Sequence, residues 1–147
     1  MIAVFCGHAE VDSKNEIRAW LFEVTQQLLE EGIDIFYFGG YGEFDRMALD
    51  VVTEQKKQYS HINRILVLAY LRKNMNAAKQ YDETVYPDLE SVPPRYAIVR
   101  RNQKMIEAAD VVVAYLTHEW GGAYQMIQYA RRKRKNIIFY PEKSALS

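Results

Sequence analysis

Apolar positions along the chain alternate between short continuous runs and longer stripes with a period near 3.6. Ile2–Cys6, Ile33–Phe38, Ile65–Tyr70, Val111–Tyr115 and Ile137–Tyr140 are strand-length runs rich in β-branched and aromatic residues. Ile17, Trp20, Leu21, Val24, Leu28 and Leu29 recur on one helical face, which Gly32 ends and Asp12 or Ser13 can cap. Phe44, Met47, Ala48, Val51 and Val52 form a second stripe. Tyr96–Ala109, with Met105, Ile106 and Ala109 on its buried side, and Ala123–Arg134 complete the expected helices. Between Leu71 and Pro94 the rhythm breaks: Asn74, Asn76, Pro87, Pro93 and Pro94 mark a loop whose tyrosines can wall a pocket.

Helices alternating with continuous apolar strands imply an α/β fold, a Rossmann-like three-layer sandwich around a mainly parallel five-stranded sheet. With right-handed crossovers the expected strand order is 3-2-1-4-5, which gathers the ends after Phe5, Phe38 and Tyr115 around one crevice. A flavodoxin-like order, 2-1-3-4-5, is the alternative and would bring in the loop after Tyr70 instead. The 147 residues contain no Gly/Ser-rich linker, so residues 1–147 read as a single domain.

Composition removes several classes of function. With 49% hydrophobic residues and a formal net charge of +0, the chain resembles neither a disordered segment nor a protein steered strongly to nucleic acid. The one basic run, Arg131, Arg132, Lys133, Arg134 and Lys135, falls at a helix end, where solvation and the helix dipole account for it better than an RNA site. A signal-like N-terminus and membrane-length apolar segments are lacking, so a cytoplasmic protein with no membrane partner is expected. Cys6 is the single cysteine and reads as a structural, reduced thiol. The histidines His8, His61 and His118 lack ligand spacing, so no metal and no resident cofactor are expected.

The candidate chemistry lies in the glycine turns. Gly39-Gly40 and Gly121-Gly122 each follow a strand-like run and precede a helical pattern, and Gly7 closes the first run in the same way. In a parallel sheet these turns meet at one edge, where backbone N–H groups and helix N-termini hold anions. Gly42 extends the second turn. Glu43 and Asp45 beside it repel phosphate and suit ribose hydroxyls, with Arg46 available to neutralise them. The run GGYGEF lacks the G-x-G-x-x-G order and follows the second strand rather than the first.

In THEWGGAYQ, Thr117 can donate through its hydroxyl and His118 can exchange a proton near neutral pH, while Glu119 serves as acceptor, or as base if burial raises its pKa. Trp120 can stack on a base or serve a core or oligomer contact. His8 is a further candidate donor. Arg100, Arg101 and Asn102 open a helix, offering bidentate grip of a phosphate and an amide for a hydroxyl or base edge. The two arginines point a helical step apart, so both need not enter the pocket.

The segments FCGH, FGGYGEFDRMA, RRNQKMIEAADVVVAY and WGGAYQMIQYA, in that order over nearly the whole chain, resemble the SLOG superfamily. The similarity is to its bacterial and phage YpsA-like branch in particular, and more distantly to LOG-like (lysine-decarboxylase-like) and DprA proteins. The resemblance implies a nucleotide-derivative pocket at Gly7-His8, Gly39–Asp45 and Gly121-Gly122, flanked by Arg101-Asn102, and a homo-oligomer. LOG-like enzymes cleave the bond between base and ribose phosphate, whereas other SLOG proteins sense nucleotides or handle single-stranded DNA. The LOG pattern P-G-G-x-G-T-x-x-E is here WGGAYQMIQ, with Tyr124, Gln125 and Gln128 where the enzymes carry glycine, threonine and glutamate.

The leading expectation is therefore a protein that binds or senses a nucleotide-derived small molecule. The alternative is N-glycosidic cleavage or transfer, with Glu43, Asp45 or Glu119 supplying a carboxylate and His8 or His118 protonating the leaving group. Nucleic-acid binding through the Arg131–Lys135 run and the tyrosines is the third class.

Overall fold

A computed structural model describes residues 1–71 and 76–144; Asn74, expected in the central loop, lies outside the described residues. The elements run β1 (Ile2–Gly7), α1 (Lys14–Glu30), β2 (Ile35–Phe38), α2 (Glu43–Lys56), β3 (Asn63–Val67), β4 (Glu83–Val85), α3 (Ala97–Ala108), β5 (Val111–Tyr115), α4 (Gly122–Arg132) and β6 (Asn136–Phe139). Short 3-10 turns occupy Asn76–Gln80 and Pro94–Tyr96.

All strand pairs are parallel, in the order β4-β3-β2-β1-β5-β6. The expected order of five strands is reproduced, and the flavodoxin-like alternative is not. The sheet nevertheless has six strands, because Glu83–Val85, read as loop, adds an edge strand in register with Ile65–Val67. All three of its residues are exposed, so it carries no apolar run that periodicity could detect. Side-chain pairing fixes it instead. Asp82, immediately before β4, accepts from the Arg64 backbone and guanidinium and from Lys56 Nζ at 2.7 Å.

The strands are apolar on both faces because helices cover both faces. Ala3 and Phe5 of β1 and Val111, Val113 and Tyr115 of β5 pack with Phe36, Phe38 and the buried faces of α1 and α2. The intervening Val4, Cys6, Val112 and Ala114 pack with Met105, Ile106, Met126 and Ile127 of α3 and α4. Ser13 sits at the start of α1 but in a left-handed conformation, φ 51°, without a side-chain cap; its carbonyl accepts from Glu16 and Ile17 instead. Among the described residues, no helix is long and apolar enough to cross a membrane.

Candidate functional site

Parallel strands bring the loops after β1, β2, β3 and β5 to one edge, the carboxyl edge of the sheet. The turn after β2 contains the first departure from a simple anion cradle. Asp45, in the first turn of α2, folds back so that Oδ1 accepts from Gly39 N–H at 3.3 Å and Oδ2 from Gly40 N–H at 2.8 Å. The donors expected to face a ligand phosphate thus face an internal carboxylate. Burial raises the Asp45 pKa to about 6, against the opposing pull of those two N–H groups and the Arg101 charge.

Arg101 is buried, at 7% exposure, and works as a clamp rather than as an open phosphate grip. Its Nη1 donates to the carbonyls of Gly39 and Val67, both at 2.9 Å, tying the ends of β2 and β3 to α3. Its Nε donates to Asn102 Oδ1 at 2.8 Å. Arg100 points outward to Gln103 and Glu107, consistent with the angular step between the two arginines.

The β1–α1 loop is closed onto the start of α2. A Cβ on Gly7 would lie 2.4 Å from the Phe44 ring, so Gly7 is required for packing rather than for approach of a ligand. Gly42, at φ 95°, passes 3.0 Å from Ala9 Cα by the same measure. Glu43 donates its N–H to Ala9 O and accepts from Val11 N–H through Oε2, both at 2.8 Å, while Lys14 lies beside Oε1. The Val11 hydrogen bond holds the Glu43 pKa below the usual carboxylate range. Gly7, Gly42 and Glu43, all expected to touch ligand, are joined here to one another's loops.

The loop after β5 presents a feature absent from the sequence reading. His8 does not act as a donor through Nε2; that atom accepts the Thr117 N–H at 2.9 Å, which places the neutral ring's proton on Nδ1. The His8 ring stacks on His118 with centroids 3.7 Å apart, and His118 stacks on Trp120 at 3.8 Å, with interplanar angles of 18° and 17°. His118 Nδ1 lies 3.0 Å from Trp120 O. Three flat rings therefore form a pile, buried at His8 and open at Trp120, which is 69% exposed. Burial, then the nearby His118, lowers the His8 pKa. Thr117 contributes its backbone, and Glu119 is exposed, without the burial its role as a base required.

Gly121, at φ 93°, turns the chain into α4, and nothing lies within 4 Å of the place a Cβ on Gly122 would take. Gly122 and Asn102 also line a cavity of about 410 Å³ between α3 and α4, with apolar walls from Ile98, Val99 and Met126 and amides from Gln103, Gln125 and Gln128. Gln128 donates its amide to the Tyr124 hydroxyl. Cys6 is buried and donates its thiol to Ala123 O at 3.3 Å, with burial pushing its pKa far up, as a structural thiol should. In the basic run, Lys135 Nζ donates to the carbonyls of Glu107 and Ala109 at 3.0 Å, and Arg132 and Lys133 lie against the Tyr129 ring. Among the described residues, no cluster of metal-ligating side chains occurs.

No protein-family model matches the chain, and no curated protein matches it in sequence. Solved structures do match in fold. TM1055 is 18% identical and aligns over 93% of this chain and 72% of its own, with a TM-score of 0.63. The molybdenum cofactor carrier protein of Chlamydomonas reinhardtii is 16% identical over 94% of this chain and 74% of its own, with a TM-score of 0.61. DNA processing protein A of Helicobacter pylori, described for its single-stranded DNA binding mode, is 13% identical over 99% of this chain and 69% of its own, with a TM-score of 0.66. At these identities the likeness is one of fold.

Proposed function

We propose that the protein is a SLOG-like binder or sensor of a nucleotide-derived small molecule, held at the carboxyl edge of the sheet. One observation carries this reading: the His8–His118–Trp120 pile ends in an exposed indole beside the glycine start of α4. An indole face offers a base a stacking surface, and the first N–H groups of a helix offer an anion its donors. The α3–α4 cavity supplies room beside the start of α4, with Asn102 and Gly122 on its wall. Fold likeness to a cofactor carrier supports binding without turnover.

N-glycosidic chemistry is not favoured. An amide stands at Gln128, Glu43 is engaged by Val11, Asp45 is engaged by the Gly39 and Gly40 N–H groups, and Glu119 is exposed. Single-stranded nucleic acid is the second reading, favoured by the likeness to DNA processing protein A and by two exposed aromatics, Tyr41 at 81% and Trp120 at 69%.

Native mass spectrometry of gently purified protein tests the proposal. A retained nucleotide-like mass, released unchanged after incubation with fresh protein, is the expected result. Conversion to base and sugar phosphate would replace binding with catalysis, and strongly salt-dependent oligonucleotide affinity would favour the nucleic-acid reading.

A further inference from the structure

The turn after β2 has the backbone form of an anion site yet already holds an anion of its own. Gly39 and Gly40 aim their N–H groups at one carboxylate, 3.3 and 2.8 Å away. Arg101, the nearby cation, spends Nη1 on two carbonyls and Nε on Asn102. Two acceptor oxygens with one N–H each retain lone pairs for further donors.

We propose that Asp45 is a specificity-determining residue: its carboxylate keeps phosphate out of the β2–α2 turn and reserves that turn for a hydroxyl-bearing part of the ligand, such as a ribose. This rests on the nucleotide-derivative reading of the edge. A second anion at contact distance from Asp45 meets direct repulsion, whereas a hydroxyl donates to the same oxygens. Any ligand phosphate is then directed away from this turn. Burial, the Gly39 and Gly40 N–H groups and the Arg101 charge from α3 set the carboxylate's ionisation; Cys6 of β1 and Tyr81 before β4, whose pKa values Asp45 raises, are neutral neighbours, and Arg46 acts on Tyr81.

The test follows the Gly39 and Gly40 amide resonances while inorganic phosphate, and separately adenosine, is titrated into isotope-labelled protein near pH 7.5. In the wild type these amides should respond saturably to adenosine and not to phosphate. In Asp45→Ala they should respond to phosphate, with affinity raised about tenfold or more. If that variant does not fold, Asp45→Asn and the wild type at about pH 5, where the carboxyl is protonated, should each gain the phosphate response. Saturable phosphate shifts at both glycines in the wild type near pH 7.5, or silence to phosphate in the folded neutral forms, would overturn the proposal. Adenosine that shifts the α4 amides but leaves both glycines unmoved would overturn the hydroxyl assignment alone. Adenosine that shifts nothing would count against the nucleotide-derivative reading, while the phosphate arm still decides the exclusion.

Discussion

His8 and His118 lie ring on ring, 3.7 Å between centroids and 18° from parallel, across the gap between the loops after β1 and β5. His8 also accepts the Thr117 N–H, a bond that its Nε2 can make only while unprotonated. Its pKa in the folded protein lies below 6.5, so folding favours the neutral ring. The stability gained is present above the unfolded value and is lost as pH falls through the folded one. His8→Gln should flatten this acid-side loss, as measured by urea denaturation across about pH 5 to 8.

Asp45 works in the opposite direction. With its folded pKa raised to about 6, ionisation costs stability above that pH, and the cost disappears towards the ordinary carboxylate value. Relative to Asp45→Asn, the wild type should gain roughly 2 to 3 kcal/mol as pH falls from about 7.5 to about 4. Paired denaturation curves of the two proteins would read the difference, and a constant gap would contradict it.

Arg101 should be irreplaceable by lysine. Truncation to Met leaves the Gly39 and Val67 carbonyls without their shared donor, at about 2 to 4 kcal/mol, and lysine cannot reproduce the planar fork. Thermal unfolding of Arg101→Lys and Arg101→Met should show both well below the wild type.

The glycines should separate into framework and site. Gly7→Ala drives a methyl into Phe44 and should cost about 1 to 3 kcal/mol, partly recovered by adding Phe44→Leu. Gly122→Ala meets open space and should leave stability nearly unchanged while weakening ligand binding. Equal destabilisation by the two substitutions would contradict the division.

Asp82 should govern the edge strand. The hydrogen bonds and charge of Arg64 and Lys56 hold its pKa well below the carboxylate range, so its contribution is present above about pH 4 and fades in stronger acid. Asp82→Asn should speed amide exchange in Glu83–Val85 at neutral pH with little effect on β1 or β5.

The central sheet was legible in the sequence because Val111–Tyr115 and Ala3–Cys6 are buried on both faces and are apolar throughout. Glu83–Val85 was not, since an exposed edge strand held by Asp82 leaves no hydrophobic run. The glycine turns after β1, β2 and β5 do meet at one edge of the sheet, because those strands are parallel neighbours. Their internal wiring was hidden: which N–H groups Asp45 captures, and that Arg101 faces carbonyls, depends on side-chain directions set by packing. Spacing alone also gave no reason to pile His8, His118 and Trp120, which come from two loops that are neighbours only because β1 pairs with β5.

The most direct test titrates ribonucleoside 5′-monophosphates into isotope-labelled protein and maps the backbone amide shifts. Saturable shifts centred on His8, Thr117–Gly122 and Asn102, lost in Trp120→Ala, are the predicted result. Absence of saturable shifts, or shifts confined to the Arg131–Lys135 run and abolished by salt, would contradict a nucleotide-derivative site at the carboxyl edge of the sheet.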